Sequence, residues 1–173
     1  ALYNSGNGIE ATYSSVSIKS TNDSIGTNHG TAVGGLTYST GKVGNAFLFN
    51  GSDATIWLPD NSLSSLTGDF SISCWVYLPA NFVNTGGNTV YMLWNVTANT
   101  WATNLKGIAF RIITNTVLDF SICDGTSSTS LQYNDWSSTY LKNNNWVHLV
   151  VTRKGSTRSR IYMNGVLVNS NTS

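Results

Sequence analysis

One stretch near the carboxyl end limits the available folds more than any other. In residues 146–168, WVHLVVTRKGSTRSRIYMNGVLV, the aliphatic Val147, Leu149 and Val151 alternate with Trp146, His148, Val150 and Thr152. A period of two gives a strand one aliphatic and one mixed face. Lys154 to Thr157 supplies a turn around Gly155. Ile161 and Met163 then share a face opposite Arg160 and Tyr162. Asn164-Gly165 is the dipeptide that best tolerates the positive φ angles of a two-residue hairpin, and Val166 to Val168 returns as a third strand.

The same period recurs upstream. Phe70, Ile72, Cys74 and Val76 alternate with Trp75 and Tyr77; Ile108, Phe110 and Ile112 alternate with Ala109, Arg111 and Ile113; Leu118, Phe120 and Ile122 lead to a second hairpin signal, Asp124-Gly125. Phe47 and Phe49 share a face before Asn50-Gly51 reverses the chain, and Pro59 ends the return because it has no N–H for a ladder. Asn22 to Gly35, rich in Asn, Asp and Gly, reads as a structured loop. No window carries apolar residues at helical spacing over three turns. The expected fold class is therefore all-β, an antiparallel two-sheet β-sandwich or jelly roll.

The chain's 173 residues suit one domain with a sizeable core. Charged residues make up 10%, against about 25% in an average soluble domain, so Ser, Thr, Asn and Gly provide the polar surface. Such a surface suits extracellular or virion proteins. Nine basic and eight acidic residues leave a net charge of +1, which argues against nucleic acid as partner. Arg153, Lys154, Arg158 and Arg160 gather at one hairpin, as expected of a solvated edge. No apolar run approaches the ~20 residues of a membrane helix, and no amino-terminal leader pattern is visible, so membrane insertion is not expected. Cys74 and Cys123 form no CxxC pair. Cys74, on an alternating apolar face, is most simply a small buried residue, although a bond between the two cysteines is compatible with the sequence.

Four stretches together resemble the laminin G-like domains of the concanavalin A-like lectin and glucanase superfamily, in the form common in phage and bacterial surface proteins. They are DSIGTNHGT (residues 23–31), GKVGNAFLFNG (41–51), FSISCWVYLP (70–79) and Trp146 to Gly165. The resemblance covers most of residues 20–168 and implies a concanavalin A-like sandwich over residues 21–173, with residues 1–20 as an amino-terminal lead-in or edge strand. It also implies further strands after the Asn-Gly hairpin. The expectation is that the sequence is a fragment, or that the amino-terminal segment or another subunit completes the sheet, an open edge being a route to oligomers.

The superfamily includes glycosidases, which usually work with two carboxylates about 5 to 9.5 Å apart. Glu10 is the only glutamate, and it lies outside the matched stretches; Asp119 with Asp124, or Asp124 with Asp135, makes a pair only by accident. His29 and His148 are the only histidines, the resemblance gives both structural roles, and no GxSxG elbow presents a serine. A non-enzyme is expected. Some relatives hold calcium in rim loops, which places Asp23, Asn28 and Asp53 as candidate ligands, calcium wanting six to eight oxygens. Sugars offer apolar CH patches edged by hydroxyls and call for exposed aromatic rings beside amides or carboxylates. Trp101, Trp136, Tyr133 and Tyr140 sit in polar settings, with Asn99, Asn134 and Asp135 nearby. These residues serve equally as anchors for neighbouring structural subunits. The reading is a lectin-like module for glycan binding or adhesion on a virion or extracellular surface, with a purely structural or decoration subunit as the alternative.

Overall fold

The computed structural model describes residues 2–4, 10–12, 21–23, 26–59, 68–79, 89–96, 106–113, 117–124, 126–134, 144–155 and 158–172. Every regular element among them is a β-strand. Chain order runs β1 (Leu2–Asn4), β2 (Glu10–Thr12), β3 (Thr31–Val33), β4 (Thr37–Thr40), β5 (Asn45–Leu48), β6 (Thr55–Trp57) and β7 (Phe70–Leu78). It continues with β8 (Thr89–Val96), β9 (Lys106–Ile113), β10 (Val117–Asp124), β11 (Ser128–Tyr133), β12 (Asn145–Lys154), β13 (Arg158–Met163) and β14 (Val166–Thr172). They form two seven-stranded antiparallel sheets. Sheet I has the order β11-β10-β9-β8-β1-β6-β3, and sheet II the order β14-β13-β12-β7-β2-β5-β4. This is the expected concanavalin A-like β-sandwich.

The period-two patterns decide which face each strand turns inward. On sheet II, Cys74, Val76 and Leu78 of β7 lie beside Val147, Leu149 and Val151 of β12 and Ile161 and Met163 of β13, all buried. Sheet I opposes them with Ile108, Phe110 and Ile112 of β9 and Leu118 and Phe120 of β10. Phe120 meets Phe110 edge-on at 6.4 Å and Phe70 at 6.3 Å between ring centroids. Each such fully buried side chain contributes about 1.5–3 kcal/mol through lost water contact. Asn164 and Gly165 have φ of 50° and 82°, so a two-residue turn joins β13 to β14 with Met163 opposite Val166, as Asn-Gly predicts.

Three features refine the reading of the sequence, and one of them corrects it. The amino-terminal segment is not peripheral: β1 lies between β8 and β6, and β2 between β7 and β5, each inside a different sheet. Strands of three residues are too short to display a period, which hid them. Thr31 to Val33, inside the stretch expected to be loop, forms edge strand β3 against β6. Cys74 and Cys123 are both buried and form no disulfide with each other, because Cys74 faces the core from sheet II whereas Cys123 lies in sheet I, on the opposite face of β10 from Phe120. Burial pushes the Cys74 thiol from its ordinary 9.0 to about 12, since a thiolate would lose its water there.

Candidate binding face

Trp101, Trp136, Tyr140, Asn99 and Asp135 lie outside the described residues. Tyr133 ends β11 and packs against the core with Leu131. Its place on the inward parity of β11 makes it a packing residue, which corrects its reading as a loop aromatic. Asn134, the next residue, is exposed.

The three proposed calcium ligands lie in two loops at opposite ends of β3. Asp23 and Asn28 share one loop, where the Asn28 N–H donates to Asp23 Oδ2 at 3.4 Å and the Asp23 N–H donates to His29 Nδ1 at 3.1 Å. Thr21 and Gly30 clasp the loop's ends, the Gly30 N–H donating to the Thr21 carbonyl and the Thr21 hydroxyl to the Gly30 carbonyl. Asp53 sits in another turn, its Oδ1 accepting from Asn50 Nδ2 at 2.8 Å. That turn meets β3 at Gly34, whose carbonyl also accepts from Asn50 Nδ2. The first loop enters β3 at Thr31, so the full strand, about 10 Å of rise, lies between the two sites. Among the described residues no group of three His, Cys, Asp or Glu side chains is placed to hold a metal.

The carboxylates are equally dispersed. Asp119 lies five residues from Asp124 along β10, about 17 Å. Asp119 is 0% exposed and saturated by donors: Arg111 Nε at 2.8 Å, Ser121 Oγ at 2.7 Å, Ser130 Oγ at 2.5 Å and Gln132 Nε2 at 3.3 Å. Cross-strand register builds this cluster, with Arg111 and Gln132 flanking Asp119 on β9 and β11 and Ser121 opposite Ser130 in the next row. A carboxylate enclosed in this way stabilises the sheet and has no free lone pair to offer a substrate.

The outer face of sheet II presents a different arrangement. Alternation turns Trp75 and Tyr77 of β7 and Trp146 and His148 of β12 away from the core, and the register sets Trp75 opposite His148 and Tyr77 opposite Trp146. The Trp75 and His148 rings stack at 4.9 Å with 27° between planes; Tyr77 and Trp146 tilt at 5.4 Å and 52°. All four are half-buried. Polar groups edge the rings: Ser73 Oγ lies 2.7 Å from His148 Nε2, and the Tyr77 hydroxyl donates to Asn144 Oδ1 at 3.0 Å. The Lys42 ammonium sits 5.5 Å from the Trp75 ring centroid, a cation–π distance. Asn164 Oδ1 accepts from the His148 N–H at 2.9 Å, and the Asn164 N–H donates to the His148 carbonyl. The hairpin turn thereby fixes the backbone beneath the aromatic rows. Sequence reasoning placed these rings on the non-core faces of two strands but could not pair those strands, so their assembly into one platform went unseen.

Comparison with known proteins agrees with this architecture. A sequence model of the concanavalin A-like lectin/glucanases superfamily, laminin G-like branch, matches residues 50–173. Solved structures with a similar fold include the binding domain of botulinum neurotoxin DC in complex with SialylT (TM-score 0.59, 17% identity, 84% of this chain and 35% of that one). The same binding domain in complex with rat synaptotagmin II gives a TM-score of 0.56 at 18% identity, with the same coverage. A botulinum neurotoxin type C structure described as dependent on two ganglioside molecules for cell entry gives 0.52 at 18%, covering 84% of this chain and 34% of that one. The chain thus spans about a third of the length of these solved chains, and at such identities the likeness concerns the fold. No curated protein matches the sequence. With a family match over 124 of its 173 residues (50 to 173) and the two-sheet sandwich to go with it, the chain belongs to the concanavalin A-like lectin/glucanase superfamily as a laminin G-like domain.

Proposed function

We propose that the chain is a non-enzymatic glycan-binding module of a virion or extracellular surface and that sugar docks on the outer face of sheet II. The observation that carries the reading is the double aromatic row, Trp75 with His148 and Tyr77 with Trp146, held in register by two adjacent strands. Aromatic faces cover the apolar CH patches of a pyranose, while Ser73, Asn144 and the Tyr77 hydroxyl lie at the edges where its hydroxyls would project. Strand-borne rings lose little freedom on binding. The neighbours' sialylated and ganglioside ligands agree with sugar recognition on this fold, and the enclosure of Asp119 agrees with the absence of catalysis.

A glycan array followed by titration calorimetry tests the reading. Trp75→Ala and Trp146→Ala, which leave the core face of β7 and β12 intact, are expected to weaken binding about fivefold to tenfold each, the loss of one ring contact of about 1 kcal/mol or more. Undiminished binding in both variants would move the site elsewhere.

A second reading, a decoration subunit making protein contacts, has its own support. Trp57 and Val33 are 59% and 41% exposed on the outer face of sheet I, and their register, Thr31 opposite Trp57 and Val33 opposite Thr55, sets them diagonally across the two strands. Loss of self-association or partner capture in Trp57→Ser with sugar binding intact would assign that patch to assembly.

A further inference from the structure

We infer that the glycan taken by this face is acidic, a carboxylated or sulfated oligosaccharide laid along β12 with its anionic groups on Arg160 and Arg158. This rests on the reading of sheet II as the sugar platform. The outward residues of β12 run Trp146, His148, Val150, Thr152, Lys154, so one face changes character along its length, from aromatic at one end to cationic at the other. Register extends the cationic end across β13: Arg160 stands opposite Thr152, and Arg158 opposite Lys154. The Trp75–His148 row and the Thr152–Arg160 row are four residues apart on β12, about 13 Å, so a ligand touching both is longer than one sugar ring.

Charge complementarity chooses the occupant. Among the described residues the one ion pair is Arg111–Asp119, on the other sheet, and no carboxylate is paired with Arg158 or Arg160. Lys42 adds a cation over Trp75 at the aromatic end. Two acidic positions share the face. Asp69 Oδ1 is engaged by the Gly155 N–H at 2.6 Å beyond the cationic end, and Glu10 stands opposite Tyr77 by register. Ser71 and Ser170, flanking the Thr152–Arg160 row on β7 and β14, supply hydroxyls and no negative charge. Planar guanidinium forks grip carboxylate and sulfate in two-point fashion. A solvated edge needs only scattered lysines, whereas these arginines continue an aromatic row.

The test uses the full chain with four probes: a heparin-derived octasaccharide, a sialic acid oligomer, a neutral chito-oligosaccharide of equal length and a short DNA duplex. Binding of either acidic sugar, weakened about tenfold or more in Arg158→Gln/Arg160→Gln and in Trp75→Ala, supports the inference; one charge-assisted contact is worth at least that factor. Raising NaCl from about 0.1 to 1 M, which shortens the screening length from ~10 to ~3 Å, is expected to abolish it. If only the neutral probe binds, and the arginine variant leaves it unchanged, the acidic assignment falls and the glycan platform stands. Silence of all three sugars overturns both. DNA bound as tightly as the acidic sugars overturns the inference as well, reducing the face to a general polyanion surface. Melting curves of the glutamine variant, both substitutions being at solvent-facing positions, confirm that lost binding is not lost folding.

Discussion

Replacing Asp119 with alanine isolates the enclosed polar cluster of sheet I. The carboxylate is 0% exposed and its ion-pair partner Arg111 is 16% exposed, so the substitution removes the counter-charge of a largely buried guanidinium and the acceptor of Ser121, Ser130 and Gln132. Breaking a buried pair by deleting one partner costs about 3–5 kcal/mol. Arg111 keeps a sliver of water contact, which puts the expectation near the lower end, about 3 kcal/mol. Against a total stability of about 5–15 kcal/mol, that is a large share. At about 2–4 °C per kcal/mol for a domain of this size, Tm falls by about 6–12 °C. Urea unfolding followed by tryptophan fluorescence measures the change, with the slope against denaturant unaltered. The double variant Arg111→Met/Asp119→Leu removes both charges together and is expected to recover most of the loss. A cost below about 1 kcal/mol for Asp119→Ala would refute the reasoning, since it would mean that the cluster is solvated in solution. Sugar binding by the folded variant is expected to be unchanged, because the cluster belongs to the other sheet.

Three further outcomes are expected. Asn50→Ala removes an amide whose Oδ1 accepts from the N–H groups of Ser52, Asp53 and Ala54 and whose Nδ2 reaches Gly34 and Asp53; denaturant titration is expected to show a loss of about 1–2 kcal/mol. Gly34→Ala is expected to cost about 2 kcal/mol or more by the same measurement, because φ is +71° and a Cβ would lie 2.1 Å from the Asp53 carbonyl oxygen. The Cys74 thiol resists alkylation at neutral pH until the protein unfolds. Its pKa is raised to about 12, so its contribution is fully present below pH 9. Between pH 9 and 12 the unfolded chain gives up this proton while the folded one keeps it, and stability falls by about 1.4 kcal/mol per pH unit. Cys74→Ala flattens that part of the pH profile.

Much of the fold was legible because long strands advertise themselves. The alternation in β7, β9, β10, β12 and β13 assigned their core faces from the sequence, and Asn164-Gly165 announced its hairpin. β1, β2 and β3 carry three residues each, and a period of two needs more than that to stand out from a polar background. The binding face was half legible. Trp75, Tyr77, Trp146 and His148 were readable as outward-facing, but their meeting depends on which strands pair and in what register, and that is a long-range fact. Asp119 was hidden for the same reason: on its own strand it is simply an outward polar residue, and only Arg111, Ser130 and Gln132 on neighbouring strands make it an enclosed carboxylate. Tyr133 misled because its polar surroundings in the sequence concealed its inward parity with Leu131.

The interior placement of β1 and β2 carries a consequence for how the molecule comes into being. Without them sheet I separates into β11-β10-β9-β8 and β6-β3, and sheet II into β14-β13-β12-β7 and β5-β4. Residues 2–12 therefore wait, during synthesis, for partners as late as Tyr91 before they can pair, and both sheets gain continuity from the same short segment. Folding is accordingly expected to wait on long loop closures. A cut between residues 12 and 21 would turn that segment into a detachable key, whose return as a free peptide would report on the assembly of both sheets at once.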